Sequence, residues 1–123
     1  MAEVPLICVV DDDESIREAL PDLLKEFGYD VRVFSSARDF LKSDCIDEVA
    51  CLILDIAMPR MSGPELSKVL EGRGKRIPTI YITAHGDETL RPSLMQQGAV
   101  EYLLKPFSDT TLREAIETAL TGR

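Results

Sequence analysis

Residues 49–55, Val-Ala-Cys-Leu-Ile-Leu-Asp, decide the fold. An apolar run without alternation describes a strand buried on both faces, which is how a central strand of a parallel sheet reads. The run ends in an acid. Three others also end in a polar residue: Val9-Val10 before Asp11-Asp12-Asp13, Ile80-Tyr81-Ile82 before Thr83, and Tyr102-Leu103-Leu104 before Lys105. If the four runs are neighbouring parallel strands, these side chains emerge at one carboxyl edge, where open α/β sheets place their ligands.

The segments between the runs are helical in pattern, and such alternation predicts a doubly wound parallel sheet with helices on both faces. Ile16, Ala19, Leu20, Leu23, Leu24 and Phe27 recur at three- and four-residue spacing, and Gly28 ends that helix. Val31 to Phe34 reads as a shorter, partly polar strand at a sheet edge. Ser35 or Ser36 can cap a second helix, followed by a polar connection over 44–48. Ser62 and Glu65 form a capping box with Pro64 in the first turn, and Ser108 caps a last helix with a stripe of Leu112, Ala115, Ile116, Ala119 and Leu120. Two prolines break the pattern. Pro21 should bend the first helix, and Pro92 predicts that the fourth, over 87–97, starts late near Thr89 to Arg91 or is kinked.

At 123 residues the chain fits one domain over 1–123, burying roughly two thirds of the surface its unfolded form exposes. The last helix is expected to end it, with no linker or effector domain following. A formal charge of −8 argues against nucleic-acid binding by this chain alone, because phosphate backbones demand a basic surface. The first residues carry no basic secretory signal, and no apolar stretch approaches the roughly 18 residues that span a bilayer, so no membrane contact and a cytoplasmic location are expected. Cys8, Cys45 and Cys51 match no CxxC spacing and read as buried, reduced hydrophobes. Gly72-Arg73-Gly74-Lys75-Arg76 reads as a solvated basic turn rather than a phosphate-binding loop.

Carboxylates converging at one edge repel each other unless a cation sits among them, and oxygen-only ligation suits Mg²⁺. A carboxylate not consumed by the metal can attack phosphorus. Asp55, at the end of the most hydrophobic run, is the candidate. Lys105 would pair with one phosphate oxygen and the Thr83 hydroxyl would donate to another, while backbone N–H groups after Asp55 lead into a helix N-terminus. Asp13 reads as a cap for the first helix.

At these residues the chain resembles the receiver domain of two-component response regulators over nearly its full length. The motifs are VVDDDE at 9–14, LDIAMPRMSG at 54–63, ITAH at 82–85 and LKPF at 104–107. The resemblance implies a flavodoxin-like, five-stranded parallel sheet in order 2-1-3-4-5 with five helices. It implies a Mg²⁺-dependent phosphoryl transfer to Asp55 from the phosphohistidine of a sensor histidine kinase, with autodephosphorylation rather than enzymatic turnover. Asp11 and Asp12 match the metal-site acids, Asp12 as the direct ligand, and the backbone carbonyl of Ala57 the third protein ligand. Thr83 matches the switch hydroxyl, Lys105 the phosphate-binding lysine, and Lys105-Pro106 a bond typically cis. Tyr102 matches the switch aromatic, which turns inward when Thr83 is drawn to the phosphate.

The face formed by the fourth helix, fifth strand and fifth helix would carry that change to a downstream protein or effector domain, or to a second copy in a homodimer. Pro92 lies on that face, so the usual helix movement need not carry over. Ala57 and His85 flank the path of a hydrolytic water and should tune phosphate lifetime; Ala57 cannot orient that water, and His85 either does so or is a half-exposed loop residue. The stretch at 85–87 resembles receivers that precede DNA-binding domains. Two other functions remain open: a haloacid-dehalogenase-like phosphatase, which needs an acid where Ala57 stands, and an interaction module independent of phosphorylation.

Overall fold

Parallel pairing places the four polar strand ends side by side. The computed structural model describes residues 4–84 and 89–121. Its strands are β1 (Leu6–Val10), β2 (Asp30–Phe34), β3 (Val49–Asp55), β4 (Thr79–Thr83) and β5 (Glu101–Leu104), in one parallel sheet of order β2-β1-β3-β4-β5. Val10 pairs with Leu54, Asp55 with Ile82, and Thr83 with Leu104, so the strands end together. The more polar β2 is an edge strand, as its composition predicts.

Helices α1 (Glu14–Glu26) and α5 (Asp109–Thr121) cover one face of the sheet; α2 (Ala37–Lys42), α3 (Gly63–Gly72) and α4 (Leu90–Gln96) cover the other. The period-two geometry of the strands divides their side chains between two cores. Ile7, Val9, Ile53, Ile80 and Ile82 meet Leu20, Leu24, Leu112 and Ile116 on the first face. Cys8, Val10, Leu52, Leu54, Tyr81 and Tyr102 meet Phe40, Leu66, Leu70 and Leu94 on the second. Among the described residues no helix is long and apolar enough to cross a membrane.

The helix ends follow the capping residues. Asp13 caps α1 by accepting from the Ser15 N–H, and Ser36, not Ser35, caps α2. Ser62 and Glu65 form the expected capping box, and Ser108 accepts from the Thr111 N–H at 3.0 Å. Gly28, at φ 99°, turns the chain after α1 in a conformation that suits a residue without Cβ. The stretch after α2 is not the plain polar connection expected: a 3₁₀ turn, Asp44–Asp47, folds there because Cys45 drops into the core and Ser43 caps it.

α1 runs unbroken through Pro21, which offers no N–H to the Arg17 carbonyl. α4 begins late, at Leu90, as Pro92 predicts, and the proline lies in the first turn, where no intrahelical acceptor is needed. All three cysteines are free and buried, and burial pushes the Cys8 and Cys51 thiols up to about 12.

Phe40 is fully buried and meets the Phe34 ring edge-on at 5.4 Å. Phe40→Ala should lower stability by about 3–5 kcal/mol, measured as a shift of the urea unfolding midpoint at unchanged slope. A loss under about 1 kcal/mol would show that this core refills the space.

Candidate functional site

The polar strand ends converge. Asp55 closes β3, Thr83 closes β4, Asp11 and Asp12 follow β1, and Lys105 follows β5. A carboxylate oxygen from each of Asp11, Asp12 and Asp55 lies within 4.8 Å of the others. Asp11 and Asp55 are 0% and 5% exposed, whereas Asp12 is exposed, so the cluster is sealed on the sheet side and open on one flank.

Asp11 is held from three directions. Its N–H donates to the Phe34 carbonyl at 3.1 Å, its carbonyl accepts from Arg17 Nη1 at 2.9 Å, and its Oδ1 accepts from the Asp13 N–H at 2.9 Å. Lys105 Nζ lies 2.8 Å from Asp11 Oδ2. This ion pair joins an ammonium to a carboxylate oxygen that is itself fully buried. A carboxylate offers about four acceptor positions, so coordination capacity remains at the site. The donor set is all oxygen and negatively charged, so Asp11, Asp12 and Asp55 fit a hard divalent cation such as Mg²⁺.

The electrostatics agree. Burial first, then repulsion from Asp11, push the Asp55 carboxyl up to about 7; Lys105 pulls it down, and the adjoining Asp11 and Asp12 carboxyls raise it further. Loss of water around Asp55 and a second carboxylate beside it both favour its neutral form.

Lys105 spans Asp11 at 2.8 Å and Asp13 at 3.9 Å, so in the resting site it neutralises acids rather than standing apart for a phosphate. Its N–H donates to the Thr83 carbonyl at 2.8 Å, locking β5 beside β4, and the Lys105-Pro106 bond is cis. Thr83 is 2% exposed. Asp13 caps α1 and touches Lys105, both outside the cluster of three. Ala57 is exposed and stands two residues after the end of β3; its methyl cannot hold a water. Tyr102 is buried in the α3–α4 core. His85 lies outside the described residues.

Sequence reasoning missed Gly63. Its N–H donates to the Ile56 carbonyl at 3.0 Å, and a Cβ there would stand 2.3 Å from the Asp55 carbonyl oxygen. A side chain would push the helix off the strand that carries Asp55. The available signal was a glycine in the first helical turn, where backbone freedom is not required. The same loop turns sharply at Arg60, φ 71°, under a Met61 N–H to Pro59 carbonyl bond of 2.8 Å. For a non-glycine residue that conformation stores about 1–3 kcal/mol of strain next to the site.

A family model described as the response regulator receiver domain matches residues 7–117. Response regulator protein TmoT of Ectopseudomonas mendocina is 41% identical over 115 residues, which cover 94% of this chain and 52% of TmoT. Transcriptional regulatory protein FixJ of Rhizobium meliloti is 40% identical over 111 residues, 90% of this chain and 54% of FixJ. The chain spans about half the length of the curated relatives it matches. Among solved structures, that of response regulator StyR superposes with a TM-score of 0.89 at 43% identity, covering 97% of this chain and 60% of StyR. FixJ-N superposes with a TM-score of 0.85 at 38% identity, covering 100% of this chain and 98% of that one.

The raised Asp55 carboxyl has a stability consequence. Between its ordinary value of 3.8 and about 7 the folded state holds a proton that the unfolded state has lost, so stability falls as pH rises through that window. Asp55→Asn removes the slope. The variant should melt several degrees above the wild type at pH 8 and close to it below pH 4. Added Mg²⁺ should raise the wild-type midpoint at pH 8 more than at pH 5, and raise the variant's less; thermal melts across pH check all three.

Proposed function

This chain belongs to the response regulator receiver domain family, and on that footing we propose that Asp55 is its phosphoacceptor. As a member it is a phosphoacceptor signalling domain of two-component systems with the five-stranded, 2-1-3-4-5 receiver fold. The observation that carries the assignment is the convergence of three carboxylate oxygens within 4.8 Å at the end of the central strand, with Lys105 beside them.

A carboxylate oxygen of Asp55 forms the new O–P bond as the P–N bond to a kinase imidazole breaks, the bonding electron pair leaving with nitrogen. Asp11, Asp12 and the Ala57 carbonyl would hold Mg²⁺ with Asp55, and the ion would offset the charge of the incoming phosphoryl group. Asp55 must be ionised to attack, and the nearby Lys105 favours that state. Lys105 then shifts from Asp11 toward a phosphate oxygen, and the Thr83 hydroxyl donates to another. The domain accepts and loses one phosphoryl group rather than turning over substrate. The phosphatase alternative wants an acid two residues after the nucleophile, where Ala57 stands, and no observation favours it.

The donor is a sensor histidine kinase. Relatives named as transcriptional regulators are about twice the length of this chain. A transcriptional output through an effector region or a separate partner is therefore the reading we favour, with Tyr102 and the α4-β5-α5 face as the transmitting surface. A homodimer through that face is one form of it.

Incubation with Mg²⁺ and a small acyl phosphate should give a stoichiometric adduct by intact-protein mass, absent in Asp55→Asn. Lys105→Ala should slow its formation at least about tenfold. An adduct that persists in Asp55→Asn rules out the assignment. Ala57→Asn supplies an amide to orient the hydrolytic water and should shorten the adduct's half-life severalfold; an unchanged half-life removes Ala57 as a tuning position.

A further inference from the structure

α4 has little to hold it. It is seven residues long, its first turn contains Pro92, and Leu94 is the residue it buries. Beside it lies β5, the open edge of the sheet, whose outward backbone groups would otherwise face water or another strand. At Tyr102 they do neither. The Tyr102 N–H donates to Glu101 Oε1 at 3.0 Å, the Tyr102 carbonyl accepts from Arg91 Nη1 at 3.0 Å, and Arg91 Nη2 donates to Glu101 Oε1 at 2.7 Å.

The circuit closes on itself, joining the first turn of α4 to the edge strand. Its side chains are 42% and 32% exposed, and an ion pair so exposed adds little stability by itself. Its effect is geometric. The planar guanidinium fork reaches a carbonyl and a carboxylate at once, which fixes the helix against the strand in orientation as well as distance.

Two things ride on that strand. The Tyr102 ring is 2% exposed in the core that includes Leu94 and Tyr81. Three residues on, Lys105 places its ammonium 2.8 Å from Asp11.

We propose that Arg91 and Glu101 are positioning residues, a latch that fastens α4 to the backbone of Tyr102 and so keeps its ring covered and Lys105 aimed at the acidic cluster. The latch rests on the assignment of Asp55 as phosphoacceptor and adds to it a control on the same site. Without it, α4 loses this tie to the backbone of Tyr102, and Leu94 is the residue it still buries.

The test uses the chain labelled with 3-fluorotyrosine at Tyr29, Tyr81 and Tyr102, the Tyr102 resonance being assigned with Tyr102→Phe. In unphosphorylated Arg91→Ala the Tyr102 signal should move toward the solvent-exposed position, and phosphorylation by a small acyl phosphate should slow about three- to tenfold. Arg91→Lys keeps the charge but not the fork and should fall between. Glu101→Gln keeps an oxygen for the Tyr102 N–H and should show a smaller change; together with Arg91→Lys it decides the matter if Arg91→Ala does not fold.

A lower melting temperature with the fluorine signal and the phosphorylation rate unchanged means a structural contact only, and overturns the latch. Faster phosphorylation overturns its sign. Failure of the wild type to form an adduct counts against Asp55 as acceptor, while the fluorine comparison still decides whether the latch covers Tyr102.

Discussion

Asp11 and Asp55 are buried side by side at the end of a hydrophobic sheet, and burial together with the repulsion between them sets the electrostatics of the site. Lys105 is brought against Asp11, and the Asp55 carboxyl is pushed up to about 7. The site is a charge imbalance built in advance. Under the proposed function a cation would relieve it, and Lys105 and Thr83 would meet an incoming phosphoryl group from adjacent strands.

The scaffold around that imbalance is stiff for a physical reason. Val10, Leu54, Ile82 and Leu103 are packed into the two cores immediately behind the polar edge, so the backbone that aims the acids cannot yield without opening a cavity. Gly63 lets α3 press against the Asp55 carbonyl, closer than any side chain permits. Arg17 and Phe34 hold the Asp11 backbone. On the other side of the sheet's end the hold is lighter. α4 is short, and among the described residues it buries one leucine and reaches β5 through the Arg91–Glu101 circuit.

Much of this was legible in the chain. The unbroken apolar run at 49–54 marks a doubly buried central strand, the mixed polarity of 31–34 marks an edge, and Ser62 with Glu65 marks the start of α3. These features are local, and local chemistry sets them. The late start of α4 followed from Pro92 for the same reason. What escaped were contacts between distant segments: Cys45 turning a polar connection into a 3₁₀ turn, Asp11 capturing Lys105, and Arg91 reaching across to the backbone of Tyr102. Gly63 was visible as a residue, but its need arises from a strand eight positions earlier in the chain.

The sequence by itself determined which residues could do the chemistry, because strand ends, caps and breakers are written in runs of a few residues. Only the tertiary structure decided how they act on one another. Burial and repulsion depend on separations of a few ångströms between β1, β3 and β5. Those separations belong to the packed sheet, where water no longer screens one carboxylate from the next.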